Sequence, residues 1–538
     1  MLRLHLVAVS LIVVAALPSS ADAQAPAPGF RLFGALSNTS VSLLDVNNAV
    51  VHQWSTSFSP GLGIRLLADG SLLRAIRTIG PGIGGSGGGI QRIAFNGTLE
   101  WDWRYDGPGV LSHHDIAVLP NGNVLMIAWE DKTPTETLAV GRNPAAVPAV
   151  FRPEHVIEVQ PTGPTSGTIV WEWHVWDHLV QDLDPSLPGF GVVANSPELV
   201  NINYPPSVPS SGDWLHMNAI DHDPIHDRII LSTRSNNEIW IIDHSTTTAE
   251  AASHSGGAWG RGGDLLYRWG NPAAHDNGTT VNQLLLGQHG ANFIREGHPG
   301  AGNIILFNNG NGALGSAVWE LTPPMDPSGA FLPPVNGVYG PGGPTWSHSE
   351  PGFYSQNVSN AERLPNGNTL VCSGAQRWLF EITSAGQRVW EYVHQGPSIF
   401  HVRYVDRTLW ASATTLSLSA GGTVDFDLVA GTPRASDGHL LLASASGTSP
   451  GTPIGSFTLP LNPDETLLFS FSDANGPLLP GTLGTIDVVG RSTAGFTLPT
   501  NSPPILTGLE LDFAFGTWDT ATLAITSASN AVPVMLVQ

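Results

Sequence analysis

Cysteine is nearly missing from the chain. Cys372 is the one thiol in 538 residues, so no intrachain disulfide can form and the fold must be held by packing. Lysine is almost absent too; charged residues make up 12% and the formal net charge is −22. An acidic, Lys-poor surface lacks the basic patches that displace counterions from a phosphate backbone, which excludes a nucleic-acid partner. Long apolar runs are confined to the N-terminus, where Arg3 precedes an apolar stretch over Leu6–Leu17 and Ala21-Asp22-Ala23 has a small-x-small pattern. Residues 1–23 therefore read as a secretory signal peptide, too short to span a membrane, and the mature protein is expected to be exported, periplasmic or extracellular. No membrane span is expected elsewhere.

Glycine (61), proline (43) and tryptophan (17) are plentiful, and their spacing is informative. The stretches "IAVLPNGNVLMIAW" (116–129) and "AERLPNGNTLVCSG" (361–374) place Asn-Gly between alternating apolar runs, a strong hairpin signal. Looser copies occur at 65–76, 219–234 and 299–309. Each is followed by a third strand and then a Trp-bearing fourth, as in "LEWDWRY", "IVWEWHV", "LLYRWGN", "PTWSHS" and "RVWEYV". The start, "RLFGAL…VSLLDV…VVHQWS", supplies three strands of a further unit, and "FHVRYV" (400–405) is a spare strand able to complete it. The expectation is an all-β chain: a six-bladed β-propeller over 24–410, closed by that spare strand, with the tryptophans as outer packing. Composition changes after Trp410, and 411–538 reads as a separate accessory β-sandwich, in which "GGTVDFDLVA", "HLLLASAS" and "TLLFSFSD" have strand length.

Inner strands of a propeller meet at its axis. Aligned on their hairpin turns, three neighbouring blades bring His114, His216 and His289 to comparable levels, with Arg234 at the end of the next strand in the blade of His216. Period-two alternation puts His216 and Asn218 on one face and turns His113 away from His114. Neutral imidazoles can act as nucleophile or general base, and a guanidinium fork suits a tetrahedral oxyanion. No carboxylate pair, P-loop, nucleophile elbow or HExxH is present, which disfavours the chemistries those motifs serve. Sulfuryl or phosphoryl transfer through histidine suits this inventory and needs no cofactor. A binding module without turnover, or a metal held by the three imidazoles, would use the same residues. Arg234 beside them opposes a metal, and none is expected.

The blocks "HHDIAVLPNGN", "DWLHMNAIDHDP…ILSTRSNNEIWIIDH", "LLYRWGNP…GQHGANFI…GAGNIILFNNG" and "NAERLPNGNTLVCSGAQRWLFEIT" resemble the arylsulfotransferase family over about residues 30–405. The resemblance implies an exported propeller that moves sulfate from an aryl sulfate to a phenol by ping-pong transfer, without a nucleotide donor. It implies His289 as the nucleophile that becomes sulfo-histidine, with Arg234 and His216 on the sulfuryl oxygens and His216 protonating the leaving phenolate. His114, or alternatively His113, would complete the oxyanion site or deprotonate the acceptor, and Asn218 would donate to a sulfate oxygen. Residues alone do not select which histidine is the nucleophile. Well-studied members carry an N-terminal dimerisation domain and a disulfide. The single cysteine excludes the latter, dimerisation by that route is not expected, and the oligomeric state is open. The C-terminal unit is additional to the family core.

Other groupings read as structural. "WHVWDH" (173–178) is taken as packing and loop capping, "HDPIHD" (222–227) as turn chemistry, and the glycine run "GPGIGGSGGGI" (80–90) as a flexible connection. Tyr354 in "SHSEPGFYS" is placed near the channel mouth, against an aromatic substrate. Cys372 falls on a buried strand and is expected to be inert.

Overall fold

Pro-Asn-Gly turns close the hairpins as their residues demand: Gly122 adopts φ +85° and donates its N–H to Leu119 O at 2.9 Å, a backbone geometry open to glycine. The computed structural model describes residues 25–78 and 82–538; the expected signal peptide lies outside them. Among the described residues are six four-stranded antiparallel sheets, each running from inside to outside. Their inner strands are Pro60–Leu66, Val110–Val118, Met217–Asp223, His289–Phe293, Asn360–Arg363 and Ile399–Val405. Each inner strand neighbours the next and the last neighbours the first, so the six form a closed ring. The ring is closed by Ile399–Val405, which pairs antiparallel with Phe30–Ala35, Phe30 lying opposite Val405. Blades are numbered below from the one that contains Phe30–Ala35.

Tryptophans of the outer strands pack between blades. Trp54 of the first blade lies in one core with Ile64, Leu72 and Ile93 of the second, and its indole N–H reaches Ala94 O at 3.2 Å. Trp173 joins Ile220 and Trp240 of the fourth blade. In the second blade the deeply buried indole is Trp101, while Trp103 is half-buried. Long excursions leave the third to fifth blades, including a helix at Pro134–Ala139 whose N-cap, Thr133, forms a capping box with Glu136.

The C-terminal residues build a three-stranded sheet around Gly422–Val429 and a six-stranded one around Glu510–Trp518, and Phe426, Leu441, Phe496, Phe513 and Phe515 share the core they enclose. One sequence expectation is corrected: "TLLFSFSD" is a helix, Glu465–Ser472. Asp464 caps it by accepting from Leu467 N at 2.7 Å, and Leu467, Leu468 and Phe471 then recur at helical spacing. The apolar content of that segment was legible; its period was too short to separate helix from strand. This unit packs against the first two blades. Trp410 stacks on Phe95 at 5.1 Å, Val429 joins the Trp54 core, and Asp45 accepts from Thr432 N at 2.7 Å.

A buried ion pair ties the two ends of the ring. Arg31, in the strand that receives the closing one, meets Glu381 of the sixth blade, both side chains fully buried. Glu381 also accepts from Ala27 N at 2.6 Å and Asn368 Nδ2 at 2.7 Å. Removing one partner of such a pair strands a buried charge. Glu381→Ala is expected to cost about 3–5 kcal/mol, read as a lowered midpoint in urea unfolding.

Candidate functional site

The inner strands are irregular where they reach one end of the channel. The register of the innermost pair in the second to fifth blades shifts between Pro60 and Ile64, Ser112 and Ile116, Met217 and Ala219, and His289 and Asn292. Such bulges re-aim side chains. His114 and His216 accordingly adopt φ +54° and +51°, a region that non-glycine residues occupy at a cost. Together with Arg234 and His289 they line one cavity of about 450 Å³, whose apolar wall includes Pro60, Leu62, Val358 and Phe400. The rings of His114 and His216 lie 4.5 Å apart, edge to face.

Two guanidinium groups, Arg77 and Arg234, and three imidazoles line the cavity, and the imidazoles are fixed by groups behind them. His289 Nδ1 faces two oxygens that only accept, Gly287 O at 2.9 Å and Asn309 Oδ1 at 2.8 Å. The proton must sit on Nδ1, which leaves the lone pair on Nε2; that nitrogen accepts the backbone N–H of Val358 at 3.2 Å. Burial, reinforced by the Arg234 charge, pushes the His289 pKa down to about 3. His216 Nδ1 lies 2.5 Å from Asp213 Oδ2, and Asp213 Oδ1 accepts from the Trp129 indole at 3.0 Å. Burial and the neighbouring His216 hold His114 well below the usual imidazole range. Gly85 is a necessity here: it has φ +84°, its carbonyl accepts from His114 N at 2.9 Å, and a Cβ would sit 1.9 Å from the His114 ring. Arg234 is partly buried, and among the described residues no carboxylate comes within ion-pair distance of it. Burial lowers its pKa below the ordinary guanidinium value.

The remaining sequence candidates lie elsewhere. Asn218 is fully buried and does not line the cavity; its Nδ2 donates to Gln288 O at 2.8 Å. The shared face inferred for His216 and Asn218 fails because the bulge between Met217 and Ala219 breaks the two-residue alternation. His113 stands behind His114, their Nδ1 atoms 2.8 Å apart, and stacks on Trp129 at 3.9 Å. Tyr354 is not among the cavity residues. The glycine run is more than a connection, since Gly84, Gly85 and Ser86 are cavity wall. Asp213, Asn309, Gly85, Val358 and Phe400 were not singled out in the sequence. The one signal for Asn309 was its place in the apolar strand that follows "GQH".

A sequence model of a family described as Arylsulfotransferase (ASST) matches residues 63–401. No curated protein matches significantly. Solved structures with similar folds include a protein described as of unknown function from Bacteroides caccae, at 12% identity, covering 70% of this chain and 98% of its own, with TM-score 0.39. A structure titled streptogramin B lyase matches at 11% identity, 68% and 80% coverage and TM-score 0.34. A virginiamycin B lyase from Staphylococcus aureus matches at 12% identity, 68% and 76% coverage and TM-score 0.30.

The buried imidazole has a thermodynamic signature. A histidine whose pKa falls from 6.5 when unfolded to about 3 when folded gives stability that is complete above pH 6.5 and lost as pH falls toward 3. Between pH 7 and 4.5, the wild type is expected to lose roughly 2–3 kcal/mol more than His289→Asn, measured by denaturant unfolding at the two pH values.

Proposed function

Because the chain belongs to the arylsulfotransferase family, whose model spans more than half of it, we propose that it transfers a sulfuryl group from an aryl sulfate to a phenol through a covalent sulfo-histidine at His289. The observation that carries this reading is an unpaired guanidinium, Arg234, beside an imidazole held neutral with its lone pair on Nε2. A neutral nucleophile next to an unbalanced positive charge suits an anionic electrophile.

In the first half-reaction the donor's sulfonate oxygens take the Arg234 fork, and the aryl ring lies against Leu62, Val358 and Phe400. His289 Nε2 attacks sulfur, an N–S bond forms, and the S–O bond to the aryl group breaks. The electron pair leaves with the aryl oxygen, which His216 protonates. Asp213, on the far nitrogen of His216, fixes the orientation of that ring for the step. Hydrogen bonds from His289 Nδ1 to Asn309 and Gly287 offset the positive charge that the ring gains on sulfation. The Val358 N–H, released from Nε2, is then available to a sulfuryl oxygen. In the second half-reaction a phenol gives its proton back to His216, directly or by way of the neighbouring His114, and its oxygen displaces His289 from sulfur. Loose sulfuryl transfer asks chiefly for positioning and charge neutralisation, which these fixed groups supply. No cofactor takes part. Export is part of this proposal and rests on the expected signal sequence, together with the fact that among the described residues no helix is long and apolar enough to cross a membrane.

Two assays test the proposal. With a chromogenic aryl sulfate, phenol-dependent release with parallel-line kinetics and sulfate on the acceptor is expected. Release independent of phenol indicates a hydrolase on the same site, and tight aryl sulfate binding without release indicates a binding module. His289→Asn is expected to abolish transfer and the mass increment of a sulfated enzyme while leaving the circular dichroism spectrum unchanged; transfer at wild-type rate in that variant overturns the assignment.

A further inference from the structure

Outside the channel, two clusters each gather two imidazoles and a carboxylate. The first lies at the hairpin turn of the fourth blade. Asp227 Oδ1 meets His222 Nε2 at 2.8 Å and His244 Nδ1 at 2.7 Å, and His244 Nε2 meets Glu158 Oε2 at 3.1 Å. Burial opposes charge on His244, but hydrogen bonds to Asp227 and Glu158 outweigh it and hold its pKa up at about 9. Both ring nitrogens of His244 are thus taken by carboxylates, which leaves that ring no nitrogen for a further ligand.

The second cluster is arranged differently. His178 is fully buried, with Nε2 2.8 Å from Ala251 O and Nδ1 2.8 Å from Asp264 Oδ1. His254 Nδ1 reaches the same carboxylate oxygen at 2.7 Å. A carbonyl oxygen only accepts, so the proton of His178 belongs on Nε2. A neutral ring then turns the Nδ1 lone pair toward a carboxylate lone pair at 2.8 Å. Two acceptors at that distance hold a proton between them, and a metal bound by both Nδ1 atoms takes that proton's place. Asp264 Oδ1 is shared by the two rings, so both Nδ1 atoms converge on one carboxylate oxygen.

The surroundings match a ligand set. A backbone carbonyl on the far nitrogen is the usual device that fixes the tautomer of a metal-binding imidazole. The His178 ring lies nearly parallel to Trp173, with centroids 5.7 Å apart. Gly263 closes the back, where a Cβ would fall 2.0 Å from Ala251 O and 2.5 Å from His178 Nε2. His254 is 63% exposed, so it can swing outward and leave a position to water.

We propose that His178 Nδ1, His254 Nδ1 and an Asp264 oxygen bind one divalent transition metal of the zinc class. Two imidazoles and a carboxylate suit zinc, with nitrogen ligands at about 2.0–2.1 Å. Binding replaces whatever protons occupy the two Nδ1 atoms, and modest movements of His254 and of the Asp264 carboxylate widen the ligand spacing to tetrahedral values. The ion joins the segment that leaves the outer strand of the third blade, Ser166–His174, to the segment that enters the outer strand of the fourth, Tyr267–Trp269. It is a structural clip between two blades in a protein that has no disulfide.

The test uses the full-length protein, stripped with a chelator, dialysed and titrated with zinc sulfate by calorimetry and thermal unfolding. One equivalent bound at micromolar zinc with a raised unfolding midpoint is expected, and cobalt substitution should give the intense visible absorption of a tetrahedral site. His254→Ala, a change at an exposed side chain, and Asp264→Asn should each weaken zinc binding by about tenfold or more. His244→Gln and His289→Asn, which alter the other imidazole clusters, should keep it. No uptake by the stripped protein, or an equivalent that survives in both His254→Ala and Asp264→Asn, overturns the proposal.

Discussion

Everything at the channel mouth depends on one antiparallel pairing, that of Ile399–Val405 with Phe30–Ala35. Six twisted sheets give a site only if they close on themselves, because the cavity residues come from separate inner strands and the turns beside them. Closure sets the number of strands around the axis and hence the distance between His114, His216 and His289 across it. The Arg31–Glu381 pair reinforces the joint from the blade next to it. Without a disulfide, the ring is kept by hydrogen bonds, a buried ion pair and the tryptophans wedged between blades.

Within that ring the site is built by depriving charge of its partners. Burial keeps His289 and His114 neutral, and among the described residues no carboxylate stands within ion-pair distance of Arg234. Asp213 is reserved for His216. The two histidines at positive φ sit at or beside the bulges of the innermost pairing, and bulges re-aim side chains.

Most of the fold was open to reading. Asn-Gly hairpins, apolar alternation and recurring outer tryptophans are local signals whose physics survives in the assembled protein. The family resemblance rests on long blocks of residues and agrees with the family match over 63–401. Misreadings arose where the local pattern was interrupted. The bulge after Met217 separates His216 from Asn218, although simple alternation joins them. "TLLFSFSD" carries equal apolar content for strand and helix, and Asp464 decides by capping. Asn309 and Gly85 matter only through contacts between distant segments or a tight backbone approach, which no single-window pattern displays, whereas Asp213 stands three residues before His216 and lay within local reach.

The closing strand has a sequel that changes what kind of strand it is. Only a few residues beyond Val405 the chain enters Leu409–Ala411, a strand of the C-terminal unit, and Trp410 is lodged against Phe95 of the second blade. A strand that ended the chain would fray from its free end, and the ring would breathe at its seam. Here the end is pinned by a second domain, so the last strand to be added in sequence has no loose tip. The C-terminal unit thereby acts as a latch: its docking on the first two blades converts the weakest seam of a ring into an interior joint.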